Sequence, residues 1–264
     1  LYFRENLQLY GTLDCGEYMS VRKDIVTDEN GYLKVNNGAD IGGVAELNGT
    51  IELAGADISF SGETTFGESM QVQWFEKTED NRVTYPRIYC YDTVHQLGNL
   101  TIPENGRLYV SADHGYYEVL GQLENQGRVT ISKDAALYVN NDAQLRNHAD
   151  IYNDGTLKVQ ALGALTNEGA VYNDGTIVVN EGGVFVNTQT GSVTGDGTVD
   201  GEIVQLLDAQ ELPEDTENQM TESEQDAAVD ESADDTLPDK AAKPDSNVPD
   251  DTADGTTGDK EPTA

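Results

Sequence analysis

Ile151-Tyr-Asn-Asp-Gly-Thr-Leu-Lys-Val159 and Val171-Tyr-Asn-Asp-Gly-Thr-Ile-Val-Val179 are two versions of one phrase, repeated after about 20 residues. Matched positions follow each copy at the same interval, Ala164 to Asn167 and then Val184 to Asn187. A whole unit recurring at this period marks a solenoid, because each repeat buries its apolar side only against the next one. Within the unit, Thr156 to Val159 alternates polar and apolar residues, and Ala164 to Asn167 and Ala170 to Asn173 are further short runs, separated by Gly, Asn and Asp. Three short strands joined by bends would complete one rung. Strands this short are marginal alone, so each must pair in parallel with the rung above, at about 4.8 Å. The spacing predicts columns of inward side chains: Leu157 on Ile177 on Val199, Val159 on Val179, Leu165 on Phe185, and Ile151 on Val171 on Val193.

Working outward, the signature Gly-x-(Leu/Ile/Val)-x-apolar occurs at Gly11, Gly31, Gly49, Gly106, Gly127, Gly155 and Gly175, and at Gly197 with Gly201 in the last place. Most steps between successive signatures are close to the same period, and two are longer, from Gly49 to Gly106 and from Gly127 to Gly155. The second of these reads as a rung with a loop inserted around Asn140 to Ala143. The first reads as hiding about two further rungs, or one rung with a large excursion. Asn147, Asn167 and Asn187 share one register and Asn153 and Asn173 another. The first column reads as a ladder of stacked amides. The second precedes Asp-Gly and reads as a bend.

Between 61 and 97 the repeat fades. Met70 to Phe75 and Val83 to Tyr91 flank a charged stretch and read as two strands of an excursion from the coil. Trp74, the only tryptophan, lies here with Tyr85, Tyr89 and Tyr91. Exposed, these rings would be a platform for a glycan or a protein; otherwise they pack the excursion onto the coil. The chain thus divides into rungs over 1–60, an aromatic excursion over 61–97, rungs over 98–207 and a tail over 208–264. The tail holds 19 Asp and Glu against 3 Lys, five of the seven prolines and no aromatic residue. It cannot bury enough apolar surface to offset ordering entropy and is expected to be a disordered, self-repelling linker.

The formal charge of -34 disfavours nucleic acid and anionic membrane surfaces as partners. No apolar run is long enough for a membrane helix. The start at Leu1 reads as that of an internal piece of a longer product. Cys15 and Cys90 are compatible with a disulfide or with two buried thiols; the register of Cys15, matched to Val35 and Val159, favours the thiol.

Chemistry-bearing motifs are sparse. The sequence has no Walker loop, no Gly-x-Ser-x-Gly, no His-Glu-x-x-His and no zinc-spaced cysteines. His95, His114 and His148 have no repeated partner nearby and read as surface residues. Asp154, Asp174 and Asp196 fall at one bend of successive rungs. They are candidate ligands for calcium, although too few further carboxylates accompany them to complete its oxygen shell.

The run Asn153-Asp-Gly-Thr-Leu-x-Val159, Gly163-Ala-Leu-Thr-Asn167, Val171-Tyr-Asn-Asp-Gly-Thr-Ile-x-Val179 and Gly183-Val-Phe-Val-Asn187 resembles the repeats of right-handed, single-stranded parallel β-helices in secreted bacterial surface proteins and adhesins. The resemblance spans about residues 1 to 204. It implies an all-β fold with rungs of about 20 residues. It also implies an extracellular or cell-surface location, with a glycan, a protein and neighbouring domains of a longer polypeptide as partners. It leads to the expectation of a non-catalytic scaffold or adhesin segment. The alternative is a carbohydrate-active β-helix enzyme, lyase or hydrolase, with Glu76, Glu79, Asp80 or Asp92 taking part. Fold alone does not decide between them.

Overall fold

The computed structural model describes residues 1–111 and 121–206, and the tail expected to be a disordered linker lies outside the described residues. The described part is a parallel β-solenoid with no helix, built from three faces. The first face runs from Tyr2–Phe3 through Asp57–Phe60 and Arg87–Cys90 to Thr198–Asp200, ten strands in order. The second runs from Leu7–Leu9 to Ile203–Gln205, also ten. The third is split into a sheet of four, Thr12–Cys15 to Gln71–Phe75, and a sheet of five, Asn99–Ile102 to Ser192–Thr194. Strands of the first face recur at the expected period except for two longer steps, from Asp57 to Arg87 and from Arg107 to Ala136.

The registers expected from the repeat are observed. Leu157 pairs with Ile177 and Ile177 with Val199, Leu165 with Phe185, and Ile151 with Val171 and then Val193. Alternation places every second side chain inside, and these inner columns form the core. Each fully buried member contributes about 1.5 to 3 kcal/mol before entropy is counted.

Several expectations need correction. The glycine signature marks no single face: Gly11, Gly31, Gly49 and Gly127 precede third-face strands, whereas Gly106, Gly155, Gly175 and Gly197 precede first-face strands. Glycine is required wherever consecutive corners touch; a Cβ on Gly175 would overlap the carbonyl oxygen of Gly155. Cys15 therefore stacks on Val35 as expected, but Val159 belongs to another face. Asn140 to Ala143 is an ordinary corner, matched by Gln160 to Gly163 and Asn180 to Gly183; the step from Gly127 to Gly155 is long because the signature moves from the third face to the first, and the extra length of the first-face step from Arg107 to Ala136 falls between Val110 and Gln122. The excursion also shrinks. Thr64–Phe66, Gln71–Phe75, Arg87–Cys90 and Thr93–Gln96 are all rung strands, and only the antiparallel pair Lys77–Glu79 and Arg82–Thr84 leaves the coil. Both cysteines are free and buried, with Cys15 Sγ 3.4 Å from Met19 Sδ; burial pushes the Cys90 thiol up to about 12.

The asparagine ladder is present and longer than expected. Asn125 Nδ2 donates to Asn147 Oδ1 at 2.6 Å, Asn147 to Asn167 at 2.7 Å, Asn167 to Asn187 at 2.7 Å, and Asn187 to Gln205 Oε1 at 2.8 Å. The second column is a ladder too: Asn153 Nδ2 donates to Asn173 Oδ1 at 2.6 Å, and both residues are buried. These side chains occupy the inward fourth place of their strands, so the bend begins only after them. Replacing Asn167 by Leu would strip Asn187 Oδ1 of its donor in a dry interior. We expect a loss of about 2 to 3 kcal/mol, read from chemical denaturation, with amide exchange accelerated first in the flanking rungs.

On the outer side of the third face, Glu52 accepts from the Tyr32 hydroxyl and pairs with Lys34 Nζ at 2.9 Å. The hydrogen bond from Tyr32, then the one from Lys34, holds its carboxyl below the usual 4.5. A depressed carboxylate stabilises the fold above its unfolded value and ceases to do so as pH falls through the folded one. Glu52→Gln should therefore lower the melting temperature at neutral pH, and the gap from the unaltered chain should close as the pH is taken below about 4.5.

Candidate functional site

The only strands outside the three faces, among the described residues, are those of the hairpin Lys77–Glu79 and Arg82–Thr84. Its turn residues Asp80 and Asn81 take left-handed backbone, φ 49° and 62°, the geometry of a two-residue hairpin loop. Its base docks on Gly55, also left-handed at φ 60°, whose N–H donates to Phe75 O at 2.6 Å. A Cβ on Gly55 would overlap Lys77 Cβ and press on Thr84 O, so glycine is needed there for both conformation and space.

The hairpin roofs a cleft of about 610 Å³ over the outer side of the first face, lined by Tyr18, Asp40, Asp57, Lys77, Arg87 and Tyr91 among others. Each of its two cations has an acid beside it. Lys77 Nζ lies 2.8 Å from Glu79 Oε1 and donates to Asn37 Oδ1 at 3.1 Å. Arg87 Nη1 lies 3.8 Å from Asp57 Oδ2. Asp40 accepts from the Tyr18 hydroxyl with one oxygen and from Ser59 Oγ with the other. Desolvation pushes the Asp57 carboxyl up, against the pull of Arg87; the hydrogen bond to Tyr89 raises Arg87. Tyr18 lies against the Gly38 backbone and is 42% exposed.

A second cleft, about 270 Å³, opens where the third face is split, and Trp74, Glu76, Tyr85, Pro86, Pro103 and Glu104 line it. Trp74 pairs with Leu53 in register and packs against the core, in the inward column of Cys15, Val35 and Leu53. Its Nε1 is buried without a partner. The ring is wider than the Cys, Val and Leu below it in the column, and the adjacent strands Gln71–Phe75 and Asn99–Ile102 do not pair.

The aromatic group expected to act together is thus divided. Trp74 and Tyr85 border the second cleft, whereas Tyr89 and Tyr91 border the first. Tyr89 stacks on Tyr109 and Tyr109 on Tyr138, each pair with ring centroids 4.8 Å apart, and Tyr91 stacks on Tyr89 at 6.0 Å. In this ladder the middle ring, Tyr109, has both faces covered and offers a ligand mainly its edge and hydroxyl.

The acids are likewise dispersed. Glu76 lines the second cleft, Glu79 lines the first, Asp80 sits in the hairpin turn, and Asp92 accepts from the backbone N–H of Thr93 at 2.6 Å. Asp154, Asp174 and Asp196 are exposed at successive corners, and Asp174 Oδ1 accepts from Asp196 N at 3.2 Å. No group of three His, Cys, Asp or Glu side chains among the described residues has metal-binding geometry. His148 is at the surface as expected, but the histidines do have partners: His148 Nε2 is 3.0 Å from Glu124 and its Nδ1 3.1 Å from Glu168, while His95 is 3.5 Å from Glu63. The partners stand on neighbouring rungs, where a local search of the sequence does not look. His114 lies outside the described residues. Sequence reasoning also passed over Tyr18, Asp40 and Arg87, which carry no motif. The one available signal was register, since Asp40, Ser59 and Tyr89 fall on successive rungs of the first face.

No family model matches the chain, and no curated protein matches it. Among solved structures, the crystal structure of a TibC-catalysed hyper-glycosylated TibA fragment aligns with 79% of this chain and 97% of its own length, at 14% identity and a TM-score of 0.20. A likeness that weak carries no argument about function.

Proposed function

We propose that the chain is a non-catalytic scaffold segment of a secreted or cell-surface protein, whose coil holds the hairpin-roofed cleft out to a glycan or a protein. The acidic stretch 208–264 serves as a spacer to a neighbouring domain of a longer polypeptide. One observation carries this reading: among the described strands only those of the hairpin leave the three faces, and a cleft of about 610 Å³ lies under it. A function placed on a rigid repeat belongs where the repeat is interrupted, since the stacked positions are occupied with stacking. The cleft's acids are already engaged, Asp40 by two hydroxyls, Asp57 by Arg87 and Glu79 by Lys77, which leaves none poised as a base.

The second reading, a carbohydrate-active enzyme, is favoured by a single feature: desolvation raises the Asp57 carboxyl, the direction a general acid requires. The two readings separate in one experiment. The full chain is screened on a glycan array and a panel of extracellular proteins, and polysaccharides are assayed in parallel for new reducing ends and unsaturated uronates. The scaffold reading expects binding without turnover, weakened about tenfold by Gly55→Ala, which unseats the hairpin through a left-handed Cβ worth about 1 to 2 kcal/mol of strain. Turnover of any polysaccharide overturns it. Binding indifferent to Gly55→Ala moves the site away from the cleft.

A further inference from the structure

We infer that the ligand of the hairpin-roofed cleft is an uncharged glycan segment, held by its hydroxyls and packed on the Tyr18 ring; this rests on the cleft being the binding site. The first step is charge. The ionised groups lining the cleft are Lys77 and Arg87 against Asp40, Asp57 and Glu79, an excess of one negative charge on a chain of formal charge -34. Each cation already has its acid, Lys77 with Glu79 at 2.8 Å and Arg87 with Asp57 at 3.8 Å. A uronate or sialate carboxylate could take either cation only by displacing that acid and leaving two carboxylates side by side. Like charges so placed repel, and the rest of the chain offers no compensating positive field.

A hydroxyl has no such conflict. It donates one hydrogen bond and accepts two, so it can enter beside a matched pair and serve both partners. Asn37, Lys77 and Arg87 supply donors, and Asp40, Asp57 and Glu79 supply acceptors, on both walls of one cleft. A polyhydroxylated ligand uses such a mixed lining fully.

The second step is the apolar surface. The aliphatic residues of the lining are Ala39 and Ala56, with nothing larger, so a peptide would find no pocket for the buried side-chain anchors that dominate protein interfaces. The rings are tyrosines. Tyr89 gives one face to Tyr109 at 4.8 Å, has Tyr91 beside it at 6.0 Å, and is less exposed than Tyr18. Tyr18 instead rests on the backbone of Gly38, is 42% exposed, and has its hydroxyl tied to Asp40. It is a fixed flat surface at the cleft wall, suited to the C–H face of a sugar ring whose hydroxyls reach Asn37 and Lys77.

The test uses the full chain with two sets of oligosaccharides, neutral hexose and N-acetylhexosamine oligomers and their uronate-containing counterparts, titrated calorimetrically at about 0.05 and 0.5 M salt. A neutral oligomer should bind, with an affinity that changes less than about twofold between these salt levels, because no ion pair is formed or broken. Tyr18→Ala should weaken it about tenfold or more, and Tyr18→Phe, which keeps the ring and drops the hydroxyl, should retain most of it. Binding confined to uronate oligomers, weakened by salt and by Gly55→Ala, overturns the uncharged ligand and keeps the cleft. Neutral binding that ignores both Tyr18→Ala and Gly55→Ala overturns the cleft as its site. Binding of a protein alone, with no oligosaccharide of either set, overturns the glycan.

Discussion

Every part of this molecule answers to one constraint, the fixed step of about 4.8 Å between stacked strands. A side chain in an inner column must fit above and below its equivalents, so columns are chemically uniform over long stretches. The second face shows this most clearly. Its inner fourth place holds Leu9, Thr27, Leu47 and Phe66 in the lower rungs and then changes to Gln96, Asn125, Asn147, Asn167 and Asn187. The change coincides with the rung at which the hairpin interrupts the coil. Below it the column is mostly apolar, with Thr27 Oγ1 accepting from Asn48 N and Gly49 N, and above it the column is held by a chain of amides.

The amide chain has a direction. Each Nδ2 donates to the Oδ1 of the next rung, so the top acceptor is satisfied and the bottom one is not. Asn125 Oδ1 and Gln96 Oε1, one rung apart, are both buried acceptors without a donor. Asn153 Oδ1 is orphaned for the same reason, since the residue beneath it is Ile131. The ladder's stabilisation is therefore collective, several bonds made for about 1 to 3 kcal/mol lost at its foot, and a two-member ladder such as Asn153 and Asn173 gains least from that exchange.

The uniformity of columns also sets what could be read in the sequence. The rungs over 150–187 were legible because matched residues recur at a constant interval, and the inner columns followed from alternation. Asn153 was misread because Asn-Asp-Gly is ambiguous locally: the asparagine points inward and only the Asp-Gly bends. The glycine signature misled about phase because close backbone contact at a corner selects glycine on any face. The stacked Tyr89, Tyr109 and Tyr138 and the trio of Glu124, His148 and Glu168 were invisible to local motifs, because their members meet only when one rung is laid on the next. The cleft was least legible of all. Tyr18, Asp40, Asp57, Lys77 and Arg87 come from several rungs and a hairpin, and rung register joins only some of them, such as Asp57 with Arg87.

The interruption falls at one place in the coil: the third face is split above the strand that carries Trp74, and the hairpin follows that strand in the chain. The hairpin is too small to persist alone; its base fits against Gly55, and Lys77 donates to Asn37 at the corner before Ala39–Ile41. Its charges must then be matched on the spot, since an unpaired Lys77 or Glu79 against the coil would weaken that docking. Pairing stabilises the roof and at the same time removes free charge from the cleft beneath it. The engagement of Lys77 that helps decide which ligands the cleft can accept is thus a consequence of how the hairpin is kept in place.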